Sequence, residues 1–221
     1  MKLDTRQLCL KAVLAAVLAA GLSACAPLMV GGAMMTSFVA VDRRTAGAQL
    51  EDEGIERRAV SRIETNVGDR VHVNVTSYNR QMLLTGEVPS EQDKQLVEQV
   101  VARVDNVRAI VNELAVLGHS TLGQRSSDAL VTGRVKSNLI DAKDLYASAF
   151  KVVTERGTVY LLGRVTLREA DRATDIVRNT NGVQKVVRLF EIITEEELQE
   201  LMPQPTPAEA KKESAARAPT Y

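Results

Sequence analysis

The sequence predicts an α+β protein that contains two tandem copies of one small module. Two strand-like blocks recur along the chain at nearly the same offset. Residues 84–88 (Leu-Thr-Gly-Glu-Val) match residues 161–165 (Leu-Leu-Gly-Arg-Val) 77 positions later, and residues 107–114 match residues 183–190 at an offset of 76. Because chance rarely preserves separate blocks at almost one offset, these matches indicate an internal duplication.

A helical pattern upstream of each pair of blocks repeats as well. Apolar residues spaced by four positions, which fall on one face of a helix, occur in both copies at an offset of 76. They are Ile55, Ala59 and Ile63 in the first copy and Val131, Val135 and Leu139 in the second. This stripe is predicted to face the core in each copy.

Each copy is predicted to run in the order helix, strand, strand, helix and strand, with two helices packed on a three-stranded mixed sheet. Valines that alternate with polar residues predict the first strand, and Ser90 with Asp93 resembles a helix cap. The first copy occupies 51–117, with its elements expected near 52–66, 71–75, 81–87, 90–106 and 107–116.

The second copy repeats this plan over 128–193. Its elements are expected near 128–140, 149–155, 158–164, 167–179 and 183–193. Asn181-Gly182 is predicted to end the second helix, and Arg156-Gly157 to form the hairpin turn, because glycine adopts a positive φ at little cost. The first copy has Arg80 in place of that glycine, so its turn is expected to be strained or of another type.

The first 24 residues are predicted to be an export signal. Three basic residues precede an apolar run at 12–22 that is too short to span a bilayer stably. The run ends in Leu-Ser-Ala-Cys at Cys25, which resembles the lipobox of bacterial lipoproteins. The resemblance implies that Cys25 is acylated and becomes the mature N-terminus; the alternative is an ordinary signal peptide with a coincidental cysteine.

The segments outside the two copies are predicted to connect and anchor them. Residues 25–50 are expected to be the acylated N-terminus and a tether with an apolar patch. Residues 118–127 are expected to form a linker, and residues 194–221 a short helix followed by a disordered tail. Because Ala26 rather than Asp follows Cys25, the lipobox resemblance implies the outer membrane, on its periplasmic side.

The repeated blocks resemble the BON domain, a small bacterial module with the same order of elements. The resemblance rests on the Gly-Glu/Arg-Val corner at 86–88 and 163–165 and on the later Val-x-x-(Ile/Val)-Val pattern. A lipobox followed by two such modules is similar to the dual-BON-domain outer-membrane lipoproteins of the DolP (YraP) type. That family implies phospholipid association and outer-membrane integrity rather than catalysis.

Composition argues against several other classes of function. Aromatic residues make up 3% of the chain and its net charge is zero, which disfavours sugar grooves and nucleic-acid surfaces. With two His and two Cys, the chain offers little for a metal site or a His-dependent triad. His72 and His119 are interpreted as exposed surface, and Asp171 with Asp175 as a solvated edge. We expect no catalysis, no metal, no small-molecule substrate and no cofactor apart from the covalent lipid on Cys25.

The two copies differ in charge, and this difference favours the second as the lipid-binding one. Residues 51–117 carry 8 Lys+Arg and 12 Asp+Glu, a net charge of −4, whereas residues 127–193 carry 11 and 8, a net charge of +3. Basic residues are attracted to anionic lipid. The candidate lipid-binding residues are Leu130, Arg134, Lys136, Leu167, Arg164 and Arg168.

Three functions remain open from the sequence. The first is binding of anionic phospholipid through the second copy in support of envelope integrity. The second is a protein-interaction adaptor whose acidic first copy docks onto an envelope assembly or division protein, and the third is a periplasmic stress chaperone. Leu130 and Leu167 have an alternative role as well, which is to cap the core of the second copy.

Overall fold

A computed structural model describes residues 42–118 and 120–201 of the chain. The α-helices in these ranges are α1 (Ala46–Asn66), α2 (Glu91–Val101), α3 (Leu122–Asp141), α4 (Leu167–Arg178) and α5 (Glu195–Leu201). The strands are β1 (His72–Tyr78), β2 (Gln81–Val88), β3 (Ala109–Asn112), β4 (Ala115–Val116), β5 (Lys151–Glu155), β6 (Thr158–Val165) and β7 (Lys185–Ile192). The predicted signal peptide, Cys25, His119 and the tail after residue 201 lie outside the described residues.

Each module contains the predicted mixed sheet. In the first, β1 pairs antiparallel with β2, and β2 pairs in parallel with both β3 and β4. In the second, β5 pairs antiparallel with β6, and β6 pairs in parallel with β7. The strand predicted at 107–116 is therefore divided into β3 and β4. The Asn112 side chain accepts a hydrogen bond from the Leu114 N–H at the break (3.2 Å), which replaces a ladder bond there.

One face of each sheet carries the two helices of its module. The predicted stripes on α1 and α3 are buried in these two helix–sheet cores. Alternate residues of β2, including Met82 and Leu84, point into the first core, and Val159 and Leu161 of β6 point into the second. This confirms the helix-on-sheet arrangement expected from the sequence.

The opposite faces of the two sheets pack against each other. Tyr78 and Leu83 of the first module form one buried cluster with Tyr160 and Leu162 of the second. Both faces of each central strand are therefore covered, so β2 and β6 are buried along nearly their whole length. The modules share a common apolar interface rather than being joined only by the chain between them.

Two helices begin earlier than the sequence predicted. The Thr45 hydroxyl accepts a hydrogen bond from the Ala48 N–H (3.1 Å) and starts α1 at Ala46, within the predicted tether of 25–50. Thr121 and Gln124 form a reciprocal capping box that starts α3 at Leu122, within the predicted linker of 118–127. The connection between the modules is therefore shorter than predicted, because these threonines satisfy the first free N–H groups of each helix.

The two hairpin turns have the same backbone conformation. Asn79 and Arg80 have φ values of 48° and 65°, and Arg156 and Gly157 have values of 51° and 73°. Arg80 therefore adopts the left-handed conformation that its glycine counterpart adopts more easily. Of the two alternatives expected for the first turn, strain in the same turn type is correct and a different type is wrong.

A repeated aspartate holds each turn. The Asp52 carboxylate on α1 accepts hydrogen bonds from the N–H groups of Asn79 (2.7 Å) and Arg80 (2.8 Å). Seventy-six positions later, Asp128 on α3 accepts the corresponding bonds from Arg156 (2.8 Å) and Gly157 (2.9 Å). A buried carboxylate thus fixes the hairpin to the first helix in both modules.

A candidate lipid-facing surface on the second module

Helix α3 has one buried face and one outward face whose central row of residues, from Leu122 to Ile140, carries no charge; the exposed Asp141 borders this row at the end of the helix. Val131, Val135 and Leu139 lie in the core. The residues that share the outward face by helical spacing are Leu122, Ser126, Leu130, Gly133, Ser137 and Ile140. The three large ones are 82%, 62% and 69% exposed, in that order. Leu130 therefore does not cap the core, and the alternative considered for it is wrong.

The exposed apolar row is longer than the sequence analysis recognised. Leu122 and Ile140 lie about 27 Å apart along the axis, at a rise of 1.5 Å per residue. Leu122 lies in the predicted linker, and Ile140 is the last residue of the helix predicted at 128–140, so neither was among the predicted contact residues. Helical spacing identifies Leu122 and Ile140, because they lie eight positions before and ten positions after Leu130 and share its face.

Two predicted basic residues flank this row on opposite sides. Arg134 lies one turn after Leu130 on one edge, and Lys136 lies on the other edge; both are exposed. The Arg134 guanidinium makes a 3.4 Å hydrogen bond to the carbonyl of Asn181. Because this contact is long and exposed, the guanidinium remains accessible to an anionic group.

The second predicted cluster lies at the start of α4. The Thr166 hydroxyl and the Glu169 carboxylate form a capping box, which leaves Leu167 at the first helical position and 59% exposed. The Arg168 side chain is also exposed and lies 3.7 Å from a Glu195 carboxylate oxygen. Leu167 therefore does not cap the core either.

Arg164 lies elsewhere, and its predicted role in lipid binding is not supported by its position. Its side chain donates hydrogen bonds to Glu191 Oε1 (3.2 Å) and to the carbonyl of Arg43 (3.2 Å). The strand alternation that buries Leu162 against the first module directs Arg164 to the same side. It therefore belongs to the contacts between the modules rather than to the outward surface.

Contacts between α3 and α4 show where the exposed row on α3 lies relative to Leu167 and Arg168 at the start of α4. Near the middle of α3, Arg134 contacts Asn181, which follows α4. Beyond the C-terminal end of α3, Asp144 pairs with Arg172 in the second turn of α4 (2.9 Å). The helices therefore run antiparallel, and Leu167 lies toward the Ile140 end of α3 rather than beside Leu130.

The corresponding face of the first module is more polar. The positions 76 residues earlier on α1 hold Ala46, Leu50, Gly54, Arg57, Ser61 and Glu64. Leu50 is exposed, but Arg57 forms an ion pair with Glu53 (2.9 Å) on this side of the helix. The long uncharged row is thus a property of the second module.

His72, interpreted as exposed surface, is instead half-buried and paired. Its Nδ1 lies 2.9 Å from an oxygen of Glu87, whose side chain is fully buried. Burial alone would raise the pKa of Glu87, but hydrogen bonds from His72, the Ser120 N–H and Arg156 outweigh it and hold the pKa below its usual value. The sequence analysis did not identify this pair, because comparison of the two copies gives no signal for it. The second module has Ala149 and Arg164 at the equivalent positions.

Within residues 42–118 and 120–201, no group of three His, Cys, Asp or Glu side chains could hold a metal ion. Asp171 and Asp175 are exposed and pair with Arg188 and Arg178, respectively. No helix in the same ranges is both long and apolar enough to cross a bilayer.

Comparison with protein families identifies the module. The family model described as "BON domain" matches residues 51–118 and 127–194, which contain the two helix–sheet units. The chain belongs to the BON-domain family. Its two copies and their order make it a dual-BON protein of the DolP type.

Individual relatives agree with this assignment. The chain is 34% identical over 174 residues to "Outer membrane lipoprotein DolP" of Haemophilus influenzae, which covers 78% of this chain and 90% of that protein. It is 32% identical to the "21 kDa hemolysin" of Actinobacillus pleuropneumoniae, over 69% of this chain and 80% of that one. A solved structure of CdsD, a type III secretion protein of Chlamydia trachomatis, matches 67% of this chain and 98% of its own, with 13% identity and a TM-score of 0.28.

Proposed function

We propose that this BON-domain protein is an outer-membrane lipoprotein that faces the periplasm and binds anionic phospholipid through its second module. The name of the Haemophilus relative supports the location, and the lipobox at Cys25 supports the anchor. In this role the protein helps to maintain the envelope and performs no catalysis. The observation that carries the lipid-binding part is the outward face of α3.

The outward face of α3 has the composition of a membrane contact. Leu122, Leu130 and Ile140 can enter the boundary between head groups and acyl chains, while Arg134 and Lys136 at the edges remain level with the phosphates. The small residues between the leucines allow the helix axis to approach the surface. A solvated helix face of this length would ordinarily carry charges.

The charge of the second module supports the same orientation. A Lys or Arg near an anionic membrane contributes about 1 kcal/mol, so an excess of three positive charges is enough to favour one side. The first module, with a net charge of −4, is repelled by the same surface. The lipid on Cys25 would keep the protein at a high local concentration, so a weak contact by α3 becomes effective.

The experiment compares binding of residues 26–221, which retain the whole described fold, to anionic and neutral phospholipid vesicles by flotation. We expect Leu130→Glu with Arg134→Glu to reduce binding to anionic vesicles on the order of 10- to 100-fold, because it removes an apolar contact and reverses a charge. Added salt should weaken wild-type binding, since exposed charges are screened beyond a Debye length of about 8 Å at physiological ionic strength.

The matched control makes the same chemical change on the first module. Leu50→Glu with Arg57→Glu alters one exposed leucine and one exposed arginine on the outward face of α1, with the same change in net charge. We expect it to have much less effect. Equal losses in the two double variants, or binding that ignores both salt and lipid charge, would contradict the proposal and favour the protein-adaptor function.

A further inference from the structure

The first described residues of the chain are held by the second module, although they lead into the first. Arg43 and Glu169 are 126 positions apart and are joined by two hydrogen bonds, Nη1 to Oε2 at 2.7 Å and Nη2 to Oε1 at 2.8 Å. Both residues are buried, at 3% and 1% exposure. A two-pronged contact of this kind fixes the guanidinium in both position and direction.

A second pair of bonds fixes the backbone at the same place. Arg43 Nη1 also donates to the carbonyl of Arg164 (2.9 Å), and Arg164 Nη1 donates to the carbonyl of Arg43 (3.2 Å). Burial alone would raise the pKa of Glu169, but hydrogen bonds from Arg43 and the Thr166 N–H outweigh it and hold the pKa below its usual value. Glu169 is therefore charged at neutral pH and holds Arg43 in place.

The next residue binds the other module. Arg44 pairs with Asp52 on α1 (2.8 Å) and with Asp42 (2.7 Å). Its guanidinium lies 4.3 Å from the centre of the Tyr78 ring, which belongs to the shared interface between the sheets. Two consecutive arginines thus bind the two modules separately, and we call residues 42–44 the entry clamp.

The position of the entry clamp defines where the chain toward Cys25 leaves the described fold. Glu169 lies in the first turn of α4, two residues after exposed Leu167 and directly after Arg168. Residues 26–41 contain no Lys, Arg, Asp or Glu, so the clamp holds the first ionic contacts after Cys25. Arg43 lies 18 positions after Cys25, and a chain of that length spans at most about 65 Å when extended.

We propose that Arg43 is a positioning residue, which fixes the exit of the membrane anchor on the second module and so directs the outward face of α3 toward the bilayer. This inference rests on the proposed lipid-binding function, which it deepens. Without the clamp, the chain would leave from the start of α1 in the first module, and the anchor would lose its bias for the basic module.

The test uses the fact that Cys25 is the only cysteine in residues 25–221. Residues 25–221 are coupled through the Cys25 thiol to a maleimide-bearing lipid in anionic phospholipid vesicles. The coupled lipid replaces the acyl anchor. Amine labelling followed by mass spectrometry then compares Lys136 on α3 with Lys94 on α2. We expect coupling to protect Lys136 relative to Lys94 in the wild type.

The clamp variant is Arg43→Met with Glu169→Gln, which removes both buried charges together rather than leaving one unpaired. We expect the protection of Lys136 relative to Lys94 to fall on the order of threefold to fivefold, because the anchor no longer holds the second module at a high local concentration near the bilayer. Arg43→Lys keeps the charge but loses the two-pronged contact, and should give an intermediate ratio. The control, Arg57→Met with Glu53→Gln, removes an exposed ion pair on α1 and should leave the ratio unchanged.

Limited trypsin digestion reports whether the clamp has opened, because Arg44, which the wild type and the clamp variant both retain, becomes accessible to the protease when it does. We expect cleavage after Arg44 to be at least about tenfold faster in the clamp variant than in the wild type. A variant that is cleaved faster but keeps the wild-type labelling ratio would overturn the positioning role. Unchanged cleavage would overturn the clamp itself.

The same measurements separate this inference from the proposed function. The clamp variant without coupling should bind anionic vesicles as the wild type does, since the outward face of α3 is unaltered. If uncoupled wild type fails to bind, the lipid-binding function fails. The positioning role then stands only if coupled wild type and clamp variant still differ in labelling ratio, and it falls if they do not.

Discussion

The two BON modules of this chain have the same skeleton but differ in what they present outward. Features that hold the fold recur at offsets of 76 or 77, including the capping threonines Thr45 and Thr121 and the turn-holding Asp52 and Asp128. Features on the outward face of the first helix do not recur. This contrast indicates that packing and turn geometry constrain both copies, while the outward surfaces of their first helices are free to differ.

The outward faces of α1 and α3 differ in charge and in the number of large apolar side chains. Where α1 has Arg57 and Glu64 on its outward face, α3 has Gly133 and Ile140. At these positions α3 lacks the two hydrated charges of α1 and has one large apolar side chain. Such a change favours transfer of the helix face to a membrane surface.

The largest predicted effect tests the shared skeleton at the strand corner. A Cβ at Gly163 would lie 2.5 Å from the carbonyl oxygen of Ala149, and one at Gly86 would lie 2.1 Å from that of His72. Gly86 also has a φ of 112°. We expect Gly163→Val to lower the free energy of unfolding by about 3 kcal/mol, and Gly86→Val by more, because backbone must move in both cases. Chemical denaturation of residues 26–221 measures both.

Thr132→Ala is the comparison for Gly163→Val within the second module. Thr132 lies off the buried stripe of α3, and its hydroxyl forms a hydrogen bond with Thr154 (2.7 Å). Loss of this bond should cost about 1 kcal/mol. Equal costs for Thr132→Ala and Gly163→Val would be inconsistent with the close approach at the strand corner.

The next effect distinguishes the two turn-holding aspartates. Asp52 accepts hydrogen bonds from the Ser77 hydroxyl and from Arg44 in addition to its two turn N–H groups, whereas Asp128 holds only the turn in the described contacts. We expect Asp52→Ala to cost about 3 kcal/mol and Asp128→Ala about 2 kcal/mol. Urea denaturation of the two variants provides the measurement.

The pH dependence of Asp52 follows from its hydrogen bonds. Burial alone would raise the pKa of Asp52, but bonds from Ser77, the Arg80 N–H, Arg44 and the Asn79 N–H outweigh it, so the pKa in the fold is lowered. The stabilising contribution of Asp52 is therefore present above the usual aspartate pKa and is lost as pH falls through the folded value. A cost of Asp52→Ala that did not shrink in acid would rule out this account.

Much of the fold could be predicted from the sequence, and the reasons for the exceptions are physical. Periodicity and repetition located the helices and strands because the core selects apolar residues at fixed spacing. Packing of one sheet on the other was not predicted, although continuous apolar runs at 82–84 and 159–162 are typical of strands buried on both faces. The early helix starts were missed because Gly47 and Gly123 resemble linker residues, while the threonines that cap these helices repeat at the module offset.

The candidate surface was predictable only in part. Leu130, Arg134 and Lys136 could be assigned because helical spacing alone separates outward from inward positions. Arg164 could not, since its direction depends on how the modules pack. The entry clamp was equally hidden, because nothing local marks Arg43 as the partner of a glutamate 126 residues away.

The smallest predicted effect concerns the shared interface, where the modules again differ at matched positions. Tyr78 ends β1 and its hydroxyl accepts a 3.3 Å hydrogen bond from the Arg164 N–H. Glu155 ends β5, 77 positions later, and contacts Asn74 (3.1 Å). Burial raises the pKa of Glu155 above its usual value and the nearby carboxylate of Glu87 adds to this, despite the hydrogen bond from Asn74.

Because the folded pKa of Glu155 is raised, ionisation of this carboxyl opposes folding. The resulting loss of stability is absent below the usual glutamate pKa, grows as pH rises toward the raised folded value, and is complete above it. Glu155→Gln should therefore stabilise the protein at neutral pH, by less than about 1 kcal/mol since the group is half-exposed, and the gain should vanish in acid. Tyr78→Phe, at the matched position, should instead destabilise slightly with no change between pH 4 and 8, because it loses one neutral hydrogen bond. Thermal melts across that pH range would contradict the assignment if Glu155→Gln were destabilising at neutral pH or if its gain were larger in acid.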